Sequence, residues 1–167
     1  MLASLTANQA AFLNTIAVSE GTASAANPYR AVYGKQHIIV SFEDHPALTG
    51  EWDGVPLDHL GPSYVGLKSY AAGKYQINKA TWLGCKMGLG LRIPPMFSPD
   101  NQDAAALWLI KEHGALAAVN YGQVDQAVAL LSNCWASFTN SNAPGQPHHA
   151  IAMLLDAFNA NGGRVLA

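Results

Sequence analysis

At 167 residues, half of them hydrophobic and 12% charged, the chain can bury one substantial core and carries no disordered or low-complexity region. A net charge of −2 and a pI near 6.3 exclude a general pull toward nucleic acid or anionic surfaces. Cys85 and Cys134 lack metal-ligand spacing and read as buried free thiols rather than a disulfide, and no apolar stretch reaches membrane-spanning length.

The first helix is expected from Thr6 or Asn8, either of which can cap it, to about Ser19. Phe12, Ile16 and Glu20 recur at i, i+4, so Glu20 continues an apolar stripe. Facing the protein body, its carboxyl would have a raised pKa. Gly21 suits the left-handed cap that stops the helix, which leaves the acid on a rigid element at its open end. The competing reading is an ordinary helix-terminal surface residue. Met1 to Asn8 has no basic region, and Thr6, Asn8, Gln9 and Asn14 interrupt any apolar run. No signal peptide is expected, and synthesis is expected in the cytoplasm.

Thr22 to Pro28 reads as a connection. Tyr29 to Phe42 is rich in β-branched and aromatic residues broken by Gly34-Lys35, which predicts a short hairpin closed by Glu43 to Pro46. Ala47 to Val65, with Gly50, Gly54, Pro56, Gly61 and Pro62, reads as one long loop. Ala72 to Ile77 leads into a helix carrying Tyr75, Trp82 and Met87, ended by Gly88, Gly90 and Pro94-Pro95. Ser98-Pro99 opens the next helix, with Asp100 and Asp103 suiting its dipole. That helix should bury Ala104, Leu107, Trp108 and Ile110 and end at Lys111, His113 and Gly114. A further helix from about Val124 carries Ala127, Val128, Leu131 and Trp135. Phe138 to Pro147 is a second loop, and the last helix buries Ile151, Leu154, Leu155 and Phe158 before Gly162-Gly163. The pattern is a mostly helical domain with one small hairpin after the first helix.

The chain has 11 acidic residues, and no regular spacing sets a second carboxylate opposite Glu20 as a two-carboxylate glycosidase requires. Asp44 is the best candidate for such a partner; it fits the capping of an Asp-His-Pro turn equally well. His148-His149 points in two directions on a helix and makes no joint ligand set, so no metal is expected. P-loop, dinucleotide and Gly-x-Ser-x-Gly signatures are missing.

Ser19-Glu20-Gly21-Thr22, Asp44-His45-Pro46, Ala72-Gly73-Lys74-Tyr75-Gln76, Phe97-Ser98-Pro99 with Gln102-Asp103-Ala104, Ile110-Lys111-Glu112 with Gly114-Ala115-Leu116, and Ser132-Asn133 with Trp135-Ala136-Ser137 follow one another in this order. Together they resemble the lambda-type phage endolysins, from about Asn8 to Gly163. The resemblance implies an α+β, mostly α, lysozyme-like fold, with a small β-hairpin lobe beside a helical lobe. It implies one catalytic domain over 1–167, with a β-rich insertion at about 29–65. The activity it implies is lytic transglycosylation of peptidoglycan, leaving 1,6-anhydromuramic ends.

Glu20 would be the catalytic acid, and Gly73 to Gln76 the Gly-x-x-Gln element, with Gly73 admitting the sugar and Gln76 offering its amide. Asp44 and His45 would sit near the cleft mouth. Ser19, Tyr75, Asn133, Trp135 and Gln146 would line or support the cleft, although Tyr75 and Trp135 also fit helical core stripes. Lys74 stands where the family often has Arg, and Pro144 where lambda-like relatives carry Tyr. No cofactor and no nucleic acid are implied. The partners are glycan strands and a holin-type membrane protein, for a monomer made in the host cytoplasm and acting in the periplasm after release. A hydrolytic muramidase using Asp44, and a non-catalytic glycan-binding protein, are the competing functions.

Overall fold

Thr6 begins helix α1 (Ala7–Ser19) with a reciprocal cap: its hydroxyl accepts the Gln9 amide at 3.2 Å, and the Gln9 side chain accepts the Thr6 amide at 3.1 Å. In the computed structural model, which describes residues 5–139 and 149–166, this helix is buried on nearly every side rather than along one stripe. A helix apolar all round belongs to the middle of a core. Its buried polar groups are bonded. Thr15 donates to the Ala11 carbonyl at 2.9 Å. Asn8 donates to the carbonyls of Asn120 and Arg164 at 2.9 and 2.8 Å, and accepts the Arg164 amide at 2.9 Å.

The chain divides into two units, one made of its beginning up to Gly21 together with its end from Ala106, the other of Thr22–Ala105. Helix α4 (Pro99–Glu112) contributes its later turns to the first unit. That unit also holds α5 (Leu116–Tyr121), α6 (Val124–Leu131) and α7 (Ile151–Ala160). Phe12, Ile16, Ile110, Leu131, Phe138, Leu154 and Phe158 are fully buried there, and the Phe138 ring meets those of Phe12 and Trp135 at 6.2 and 5.9 Å. Sequence reasoning does not anticipate α5. It runs between left-handed Gly114 and Gly122, and Ala115 gives it no side-chain cap.

In the second unit the hairpin expected at Tyr29–Phe42 does not form. Two 3₁₀ turns, Pro28–Arg30 and Tyr33–Lys35, replace it, with one bridge between Ala31 and Ile38. In the following stretch the Ile39 amide donates to the Arg30 carbonyl at 3.0 Å, and side chains take further backbone groups. Arg30 donates to the carbonyls of Ile39 and Val40, and the Glu51 carboxylate accepts the amides of Val40 and Ser41 at 2.6 and 3.1 Å. The two-stranded antiparallel sheet lies later, β1 (Val55–Pro56) against β2 (Lys68–Ser69), with Val55 opposite Ser69. The segment expected as one long loop is therefore structured: besides β1 it contains α2 (Pro46–Thr49) and 3₁₀ turns at Asp58–Leu60 and Pro62–Tyr64.

Helix α3 (Lys79–Leu89) starts at the Asn78 cap, so Tyr75 precedes it rather than riding on it. Trp82, Phe97, His45 and Tyr75 are buried in this unit, and Phe97 lies edge-on to His45 and Trp82 at 5.0 and 4.8 Å. Among the described residues no helix is long and apolar enough to cross a membrane.

Candidate active site

The end of α1 delivers Glu20 as the sequence implies. The Glu20 amide closes the last turn onto the Ile16 carbonyl at 2.8 Å, and exposed Gly21, at φ +71°, turns the chain away. The Glu20 side chain stays partly accessible. Ser137 donates to Glu20 Oε1 at 2.6 Å, and its Oγ lies 2.6 Å from Ser19 Oγ. While Glu20 is ionised the Ser137 proton goes to its carboxylate, so the Ser19 hydroxyl donates to Ser137, giving a one-way chain Ser19 to Ser137 to Glu20. The backbone around it is tied by His149, whose Nε2 donates to the Ser19 carbonyl and whose amide donates to the Ser137 carbonyl, each at 3.0 Å. Burial pushes the Glu20 carboxyl up to about 7, against the opposing Ser137 bond. At neutral pH it is divided between acid and base, the state a group needs to give a proton and later take one.

In the second unit, Gly73 to Gln76 forms a four-residue turn closed by mutual backbone bonds between Ala72 and Ile77 at 3.1 and 2.9 Å. Gly73, at φ +77°, is buried, and a Cβ there would collide with Gln102 Oε1 and press on Phe97. The close approach at this glycine is made by Gln102; this corrects the expectation that the space admits a sugar. Gln76 holds φ +48°, and its Nε2 donates to the Gly73 carbonyl at 3.0 Å. Its Oε1 has no protein partner among the described residues. Tyr75 is fully buried and donates to Asp103 at 2.6 Å, so it supports the turn and does not line a cleft. Lys74 lies over the rings of Tyr29 and Tyr75 at 5.1 and 5.2 Å, and burial lowers its pKa.

Asp44 and His45 form a separate pin. Asp44 Oδ1 accepts Trp82 Nε1 and the His45 amide, both at 2.8 Å, while Oδ2 pairs with Lys86. Burial pushes this carboxyl up, but the bonds from Lys86, Trp82 and the His45 amide outweigh it and leave it below the usual range. His45 is 0% exposed, with Nε2 donating to the Ile77 carbonyl at 3.0 Å and Nδ1 accepting the Ala47 amide at 3.2 Å. Burial holds its pKa down at about 4, so it is neutral. The expectation of His45 near a cleft mouth is corrected: it is a core side chain with both ring nitrogens occupied.

Ser19 is buried beside the acid and contributes through Ser137. Trp135 is 3% exposed and packs on Phe138, whereas Asn133 is exposed. Gln146 and Pro144 lie outside the described residues. Among the described residues no cluster of three metal-binding side chains occurs. Ser137 and Asp103 are what sequence reasoning missed. Each sits inside a motif that carries the resemblance, and that was the available signal.

Comparison with known proteins adds a consistent set of likenesses. The family model described as Endolysin matches residues 10–165. Over 160 residues the chain is 34% identical to the endolysin of Escherichia phage P2, covering 93% of each protein. It is 36% identical over 160 residues to the endolysin of Escherichia phage lambda, covering 93% of this chain and 91% of the relative. The structure of bacteriophage lambda lysozyme complexed with a chitohexasaccharide superposes with a TM-score of 0.81 at 34% identity, over 98% of this chain and 99% of that one. A further structure of lysozyme from bacteriophage lambda gives 0.78 at 32%, with the same coverage. The architecture is accordingly the lysozyme-like α+β fold, predominantly helical with a small antiparallel sheet.

Proposed function

Because the chain belongs to the endolysin family, enzymes that lyse the bacterial cell wall, we propose that it is a lytic transglycosylase, its whole length serving as one catalytic domain. Its substrate is the β-1,4 bond between N-acetylmuramic acid and N-acetylglucosamine in peptidoglycan. The chitohexasaccharide held by the lambda lysozyme is a chain of the same linkage. Protonated Glu20 gives its proton to the glycosidic oxygen as the bond to C1 breaks. The muramic acid 6-hydroxyl then attacks C1, and its proton passes to the Glu20 carboxylate. The product is a 1,6-anhydro end, no water is consumed, and the enzyme returns to its starting state.

What supports this reading is the Glu20 carboxyl, poised near 7 at an accessible helix end with one hydroxyl on it. The competing muramidase would need Asp44 to activate water, and both Asp44 oxygens are engaged by Trp82, Lys86 and a backbone amide. Gln76, through the Oε1 of its fixed amide, meets a donor group of the glycan. The enzyme works as a monomer and reaches the wall through a lesion made by a holin-type membrane protein.

Mass spectrometry of fragments released from purified peptidoglycan tests the chemistry. Fragments one water lighter than hydrolysis products, unchanged in kind by Asp44→Asn and lost with Glu20→Gln, are the expected result. Ordinary reducing ends that vanish with Asp44→Asn would establish the muramidase instead.

A further inference from the structure

Two side chains of α4 that the chemistry of Glu20 leaves unused converge on one turn. Gln102, 1% exposed, commits its whole amide there: Oε1 accepts the Lys74 amide at 3.0 Å, and Nε2 donates to the carbonyls of Tyr29 and Phe97 at 3.1 and 2.8 Å. Asp103 Oδ1 accepts the phenol of Tyr75 at 2.6 Å and that of Tyr29 at 3.0 Å, and Oδ2 lies 3.2 Å from the Tyr29 oxygen. Lys74 Nζ donates to Tyr29 Oη at 3.3 Å, which closes the cluster.

The helix dipole does not account for this arrangement. Any acid in the first turns serves the dipole, on any face, and exposed Asp100 already does. Two phenols gathered onto one carboxylate, on the residue next to a buried amide that holds the neighbouring backbone, are specific to the turn they face. That turn needs holding. Gln76 is one of only two non-glycine residues described at positive φ, a conformation that is strained outside glycine. Its backbone amide and its Nε2 both fold onto the Gly73 carbonyl, at 3.2 and 3.0 Å. The direction of the Gln76 side chain is thus set by Gly73, and Gly73 packs directly on Gln102.

We propose that Gln102 and Asp103 are positioning residues: they fix the Gly73–Gln76 turn so that the Gln76 amide is oriented before the glycan arrives. The inference rests on the reading of Gln76 as a glycan-contacting group in a Glu20-dependent enzyme. Asp103 acts through Tyr75 and Tyr29 on the flank of the turn, Gln102 through the Lys74 amide and Gly73 at its base. Neither touches substrate. The arrangement follows the general rule that a functional group is only as well placed as the shell behind it.

A double-mutant cycle separates this role from plain stabilisation. Turnover on purified peptidoglycan and thermal melting are measured for the full chain carrying Asp103→Asn, Gln76→Ala and both, with Glu20→Gln as the chemical control. If Asp103 works through Gln76, Asp103→Asn lowers turnover about tenfold in the wild-type background and less than twofold in the Gln76→Ala background. Equal losses in both backgrounds, or an unchanged turnover for Asp103→Asn, overturn the proposal. Should Asp103→Asn fail to fold, Tyr75→Phe, which removes one hydroxyl from the same carboxylate, takes its place in the cycle with the same criteria. Activity surviving Glu20→Gln would refute the catalytic reading itself, a result distinct from any outcome of the cycle.

Discussion

At Glu20 burial disfavours the carboxylate and the Ser137 hydroxyl favours it, and burial dominates, leaving the group near 7. Removing the hydroxyl in Ser137→Ala leaves burial unopposed, so the pKa rises further. The alkaline limb of kcat/KM should move up by about one pH unit, with lower turnover because the acid is less well aimed. A pH profile over both enzymes checks this, and an unmoved limb would show that Ser137 does not act on the acid. Stability carries a second signature. The folded pKa lies above the unfolded value of 4.5, so the folded state binds the extra proton between the two values. Stability is then unaffected below about 4.5 and lost progressively as pH rises through about 7. The loss approaches about 3 kcal/mol. Glu20→Gln removes the titration and should be more stable than the parent at pH 8 by up to that amount, with little difference at pH 4. Urea unfolding at the two pH values measures it. Glu20 is legible in sequence because a helix end and a glycine bracket it. Ser137 is not, being 117 positions away, and Asp103 reads as a helix-dipole residue because its phenol partners are remote in the chain.

Among the elements, those whose ends carry their own chemistry were the readable ones. Thr6 with Gln9, Ser98-Pro99 and left-handed Gly21 and Gly90 mark boundaries with local bonds or local sterics, and the structure puts helix ends at them. For the first of these, Thr6→Ala should cost about 1 kcal/mol, seen as a lower urea midpoint with an unchanged slope. No change would mean that tertiary packing alone sets the start of α1. Elements whose partners are remote are not legible in this way. Ile38, Ile39 and Val40 alternate exposed, buried, exposed, as a strand does, yet the Arg30 and Glu51 side chains take the Ile39 carbonyl and both backbone groups of Val40. A strand of two residues, such as β1 or β2, has no period to detect. Helix α5 has neither a side-chain cap nor length.

Seen as a whole molecule, the fold class was readable and the partition was not, because nothing in the composition marks Gly21 or Ala105 as a boundary. The first unit is built from the two ends of the chain, whereas residues 22–105 are contiguous. A chain that ends before Ser137 should release no fragments from peptidoglycan even though it contains Glu20. Hydrogen exchange on such a truncation would show protection within residues 22–105 and little in α1, and lytic activity in it would contradict the assigned partner of the acid. The Asn8 clamp extends the point, since its partners Asn120 and Arg164 follow it by 112 and 156 positions. On the ribosome the helix that bears the acid is made well before the residues that hold it, with Ser137 following Glu20 by 117 positions. The acid therefore acquires its hydroxyl partner only after that intervening chain has been added, which makes its setting a late event of synthesis.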